Sequence, residues 1–115
     1  MYEGEVVLTP LPQSDGRVKT RPAIVLRRMP PFGDMLVCGV STQLHQGVAG
    51  FDDLIEPPHD DFRASGLKAA SVIRLGFLAV LPASSVIGTL GRISEERHRR
   101  LLTRLCQHLR PTETT

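Results

Sequence analysis

The sequence predicts a mainly β protein, a barrel-like sheet of five to seven short strands with one C-terminal α-helix. Three observations carry this prediction. Short β-branched runs recur between turn residues as far as Leu90, and helical periodicity appears only after Ser94. Between them, residues 22–28 and 34–41 form two nearly continuous apolar runs separated by Pro30-Pro31-Phe32-Gly33.

The elements follow in order. Residues 5–11 read as a first strand ended by Pro10 and Pro12, and residues 13–20 as a polar connector built on Ser14-Asp15-Gly16, able to close over a substrate. The two central strands come next, with Gly39 marking a bulge or a close backbone approach. Residues 44–67 carry Gly47, Gly50, Pro57, Pro58 and Gly66, so they read as loop, with a short strand near 51–55 and a helical turn near 60–65. Residues 71–75 and 77–81 form two apolar pieces split by Gly76, and residues 85–90 add another β-rich piece. Ser94 is placed as a helix N-cap, with Glu95 and Glu96 in the first turn where the helix dipole favours negative charge. His98, Leu101, Leu102, Leu105 and Leu109 share one helical face, while Arg97, Arg99, Arg100 and Arg104 are expected on the solvated side.

With 115 residues, 41% of them hydrophobic and 23% charged, the chain holds one domain, placed at residues 1–110 with a frayed tail at 111–115. No apolar run approaches the roughly 18 residues of a membrane span. The acidic Met1-Tyr2-Glu3-Gly4-Glu5 opening is unlike a secretory signal, so a cytoplasmic location is expected. Cys38 and Cys106 lack metal spacing and read as reduced, core-like residues. His59 with Asp60 and Asp61 does not make a metal site, because consecutive residues rarely converge as ligands. Glycine-rich phosphate loops, a Walker lysine and a nucleophile elbow are missing, which leaves hydrolase and nucleotide-kinase readings without support.

Net charge is only +2, but it is segregated. Arg17, Lys19, Arg21, Arg27 and Arg28 crowd one stretch, and Asp52, Asp53, Glu56, Asp60 and Asp61 crowd another. If the central runs pair as a hairpin, Arg21 at the start of the first lies beside Ser41 at the end of the second. A guanidinium fork beside a hydroxyl matches phosphate oxygens, which points to a nucleic-acid or nucleotide partner.

The Gly4-Glu5-Val6-Val7 opening, Arg21-Pro22-Ala23, Ser41-Thr42-Gln43 and Ser71-Val72-Ile73-Arg74, in this order along nearly the whole chain, resemble the MazF/PemK toxins of bacterial toxin-antitoxin pairs. The resemblance implies an SH3-like barrel, a homodimer, and a metal-independent, cofactor-free endoribonuclease that cuts single-stranded mRNA. It also implies an antitoxin whose acidic tail fills the same basic groove, with operator DNA bound only through the antitoxin complex. Arg21 falls on the family's functional arginine and is assigned phosphate binding. Ser41 stands where the family usually has threonine, so the hydroxyl is kept. Arg74 matches an arginine that some members place at the active site. Two residues later those members carry an aspartate suited to act as base, and here Gly76 stands instead. His45, whose imidazole can take up and return a proton, is the candidate substitute base. Arg17, Lys19, Thr42 and Gln43 are the candidate RNA-binding residues. The alternatives are a non-catalytic SH3-like module that binds RNA or a protein tail, and a structural partner of another enzyme.

Overall fold

The hairpin expected around Pro30-Pro31-Phe32-Gly33 organises the computed structural model, which describes residues 2–112. Strands β2 (Val18–Met29) and β3 (Asp34–Ser41) pair antiparallel with Met29 opposite Asp34. Gly33 turns the corner at φ +76, a conformation that side chains with a Cβ rarely adopt. Around this pair stand β1 (Glu5–Pro12), β4 (Asp53–Ile55), β5 (Ser71–Leu81) and β6 (Gly88–Arg92), giving one antiparallel sheet in the order β4-β5-β3-β2-β1-β6. The sheet curls into an open half-barrel, with β4 and β6 as its edges. The short α1 (Phe62–Ser65) reaches the β6 edge so closely that a Cβ on Gly91 would lie 2.0 Å from the Ala64 carbonyl oxygen.

Both faces of the central strands are buried, as their continuous apolar runs predict. Ile24, Leu26, Cys38 and Val40 face one core with Ile73, Leu75, Leu101 and Leu105, while Ala23, Val25, Met35 and Val37 face a second with Phe77, Ala79 and Leu81. Helix α2 (Glu95–Leu109) covers the first core, and its Ser94 cap accepts the Arg97 N–H at 3.1 Å. His98 Nε2 lies 2.8 Å from the Leu26 carbonyl oxygen, which fastens the helix to β2.

Several expectations need correction. Residues 18–20 belong to β2 and not to the connector, because β1 continues to Pro12 and only residues 13–17 remain to turn. The apolar pieces flanking Gly76 are one strand, β5, interrupted by a bulge. Register with β3 jumps from Cys38↔Leu78 to Gly39↔Arg74, leaving Leu75, Gly76 and Phe77 unpaired against it. An odd number of extra residues reverses the strand's faces, which is why Leu75 enters one core and Phe77 the other. The piece expected at 85–90 becomes a 3₁₀ turn at Ala83–Ser85 and then β6, since Pro82 ends β5 before the chain reaches β1. Leu109, the last residue of α2, is exposed and does not join the leucine face packed on the sheet. Cys106 is exposed too, while Cys38 is buried, and both are free. Of the expected tail, residues 113–115 lie outside the described residues.

The largest correction concerns charge. Asp53 and Asp61 are buried, as is Arg97. Arg97 holds Asp61 at 2.7 Å and Asp53 at 2.7 Å, and Arg100 and Arg104 add further bonds to Asp53 at 2.9 and 3.0 Å. These arginines pin α2 to the β4 region instead of forming a solvated face.

Candidate functional site

The two faces of a strand alternate, so residues 21, 23 and 25 of β2 share a side, as do 37, 39 and 41 of β3. Ala23 pairs with Gly39, and the same register carries Arg21 to a place beside Ser41. Arg74 of β5 pairs with Gly39 from the other flank. Three neighbouring strands thus deliver Arg21, Ser41 and Arg74 to one face, at the end of the second core.

They line a cavity of about 660 Å³ together with Gln43, Gln46, Gly76, Phe77 and the 12–14 turn. Its floor is Gly39, where an added Cβ would lie 3.0 Å from Phe77 Cδ2, so the ring occupies the space a side chain would take. The Arg74 guanidinium carbon sits 5.9 Å from the centre of that ring. Ser41 Oγ accepts the Gln43 N–H at 3.0 Å, which uses a lone pair and leaves its own proton free to donate.

Neither Arg21 nor Arg74 forms an ion pair with any described residue. Among the described residues no Asp, Glu or His lines the cavity either. Two half-buried guanidinium groups without counter-charge among the described residues give this face a concentrated positive charge.

The α2 network shows the opposite balance. Burial alone would raise the Asp61 carboxyl, but the Arg97 guanidinium and the Ser94 N–H outweigh it and hold the group down at about 2. Burial would likewise lower Arg97, yet Asp61 and Asp53 raise it above its ordinary value. Burial pushes the Cys38 thiol up to about 12, so it stays protonated in the core.

Of the residues singled out in the sequence, the structure gathers Arg21, Ser41, Gln43 and Arg74 in the cavity lining. Thr42 is exposed at the rim and does not line it. His45 is exposed on the 3₁₀ turn Leu44–Gln46, where its neighbour Gln46 provides the lining side chain. Arg17 lies on the β1–β2 turn 3.8 Å from Asp15, and Lys19 is exposed opposite Leu11; neither lines the cavity. Gln13, Ser14, Gln46 and Phe77 escaped the sequence reading as site residues, although the connector carrying the first two was read as able to close over a substrate. Among the described residues no group of three His, Cys, Asp or Glu side chains is placed to hold a metal.

A curled antiparallel half-barrel with a terminal helix, presenting from adjacent strands a hydroxyl and two arginines without carboxylate partners among the described residues, places the chain among small mainly β proteins. More particularly, the chain belongs to the PemK-like, MazF-like toxins of type II toxin-antitoxin systems, whose family pattern matches residues 2–109. Its fold is similar to that of Mycobacterium tuberculosis toxin MazF-mt6, with a TM-score of 0.62 and 18% identity over 90% of this chain and 93% of that one. No curated protein matches it by sequence. Among the described residues no helix is long and apolar enough to cross a membrane.

Proposed function

We propose that this toxin is a metal-independent, sequence-selective endoribonuclease that cleaves single-stranded mRNA in the cytoplasm. The observation that carries the reading is the convergence of Arg21, Ser41 and Arg74 on one face, with both guanidinium groups free of carboxylate partners among the described residues. In such a reaction the RNA 2′-oxygen bonds to phosphorus as the bond from phosphorus to the 5′-oxygen breaks. A base takes the 2′-hydroxyl proton and an acid returns one to the leaving 5′-oxygen.

Arg21 and Arg74 neutralise the charge that grows on the non-bridging oxygens, and Ser41 donates its free proton to one of them. Gln43 meets a phosphate or a base edge with its amide, while Thr42, Arg17 and Lys19 extend the contact to flanking nucleotides. The base comes from outside the lining, and His45, beside the lining Gln46, is its candidate.

The cognate antitoxin binds through an acidic tail that competes for the same two arginines, and operator DNA is engaged through that complex. The toxin acts as a homodimer with C2 symmetry. Beyond Ile73, β5 has a strand on one side only among the described residues, and Leu78 and Val80 are exposed along that stretch.

Incubation of the protein with a long single-stranded RNA in excess EDTA, with Arg21→Ala in parallel, tests the reading. Wild-type cuts that vanish in the variant support it. Intact RNA that is nevertheless bound favours the second reading, a non-catalytic RNA-binding module, for which the lack of any carboxylate or imidazole in the lining speaks.

A further inference from the structure

The bulge in β5 sets where Arg74 and Phe77 stand, and something must hold the bulge. Leu75 is fully buried, and its N–H faces no partner on β3 because the register has jumped past it. A buried N–H left unpaired would be costly. Asp52 supplies the missing acceptor, with Oδ1 taking the Leu75 N–H at 2.9 Å. Its other oxygen, Oδ2, accepts the Val48 N–H at 2.8 Å, so one carboxylate ties the 48–52 turn to the bulge.

That turn is itself fixed from the helix side. Arg104 Nη1 donates to the Asp52 carbonyl oxygen at 2.9 Å and to Asp53 Oδ1 at 3.0 Å. Phe51 borders the bulge, its Cε2 lying 4.0 Å from where a Cβ on Gly76 would stand. The amide that Asp52 holds belongs to the residue directly after Arg74. A rotation there re-aims the guanidinium and lifts Phe77 from Gly39.

We propose that Asp52 is a positioning residue of the cavity: its carboxylate, standing in for a ladder partner, fixes the β5 bulge that presents Arg74 and Phe77 to the phosphate chain. This rests on the endoribonuclease reading for its role in activity, but the geometry of the bulge is testable apart from it.

The test compares the full chain with D52A, D52N and S94A by three readouts: amide hydrogen exchange at Leu75, the Arg74 Nε–H resonance, and cleavage of single-stranded RNA in EDTA. D52A is expected to speed Leu75 exchange at least tenfold while Ile24 is unchanged, to shift the Arg74 resonance, and to lower kcat tenfold or more with a smaller change in KM. D52N keeps an accepting oxygen and restores Leu75 protection and most of the rate. S94A loses the α2 cap, remote from the cavity, and keeps all three readouts.

Wild-type exchange and an unmoved Arg74 resonance in folded D52A overturn the proposal, as does a D52N variant as impaired as D52A. If D52A does not fold, D52E takes its place, since the longer chain displaces the oxygen, and unchanged readouts in folded D52E overturn it equally. RNA left whole by the wild type sinks the endoribonuclease reading instead, and exchange with the Arg74 resonance still decides the part played by Asp52.

Discussion

Arg97 and Arg74 are the same residue type in opposite surroundings. Arg97 lies buried between Asp53 and Asp61, with every carboxylate contact short and direct. Arg74 stands half-buried at the cavity, facing a ring and a hydroxyl-bearing strand end, with no carboxylate partner among the described residues. The difference teaches where to look for function in an arginine-rich chain. A guanidinium that has its counter-charge holds the fold, and one that lacks it at a cavity wall keeps its charge available to an external anion.

The comparison breaks most visibly at Arg97. Replacing it by alanine leaves the buried Asp61 carboxylate without an arginine, while Asp53 keeps Arg100 and Arg104, and removing one partner of a buried pair costs about 3–5 kcal/mol. Urea unfolding of Arg97→Ala should show that loss or no cooperative transition at all. If its midpoint stays within error of the wild type, the network is not what fastens α2 to the sheet.

At Arg74 the same substitution should do the reverse. Arg74→Ala leaves the free energy of urea unfolding within about 0.5 kcal/mol of wild type, because no buried partner is orphaned. Yet RNA cleavage falls by about 10²–10³, the usual loss when one transition-state donor is removed. A variant that cleaves normally, or one that unfolds, would merge the two classes of arginine.

How far this contrast could be read in advance differs between the two sites. The apolar runs around Pro30 and Gly33 predict the hairpin that brings Arg21 near Ser41, but the exact register rests on a shift between Val25 and Arg27, without which Arg21 would stand opposite Thr42. Family resemblance, and not any local pattern, pointed to Arg74. The bulge that delivers Arg74 and Phe77 was hidden, since Gly76 looks like a strand break and a register jump depends on the partner strand. Arg97 was misread as solvated although it lies four residues before Leu101 and eight before Leu105, on the same buried stripe. That spacing was a usable signal. Its partners were not, because Asp53 and Asp61 sit far away in sequence among acids that look like a surface run.

Acid sharpens the contrast by acting on the carboxylates that pair Arg97. The Asp61 carboxyl is held at about 2, against an ordinary value of 3.8. A depressed folded-state pKa gives stability that is complete above the unfolded value and lost as pH falls through the folded one. The network should therefore lose about 2 kcal/mol between roughly pH 4 and pH 2. Urea midpoints measured across that window should fall in the wild type and stay flatter in Asp61→Asn, itself less stable at neutral pH. An equal acid slope in both would mean that Asp61 is not the group being titrated.

The smallest expected effect comes from turning one kind of arginine toward the other. Gly76 lines the cavity two residues after Arg74, and a Cβ there would meet only Phe51 Cε2, at an ordinary contact distance of 4.0 Å. Gly76→Asp should therefore fold, and it places a carboxylate where some relatives are expected to carry one. That group can take a proton from the attacking hydroxyl, but it also shares its charge with Arg74 and so competes with phosphate. The expected balance is a rise in kcat of about tenfold, below the full span of general-base catalysis because the geometry is untuned. KM should rise severalfold as Arg74 is partly neutralised, and a new carboxylate limb should enter the pH–rate profile. A drop in kcat with no such limb would mean that the aspartate has simply paired Arg74, as Asp61 pairs Arg97, and that an arginine in this cavity works only while it stays unpaired.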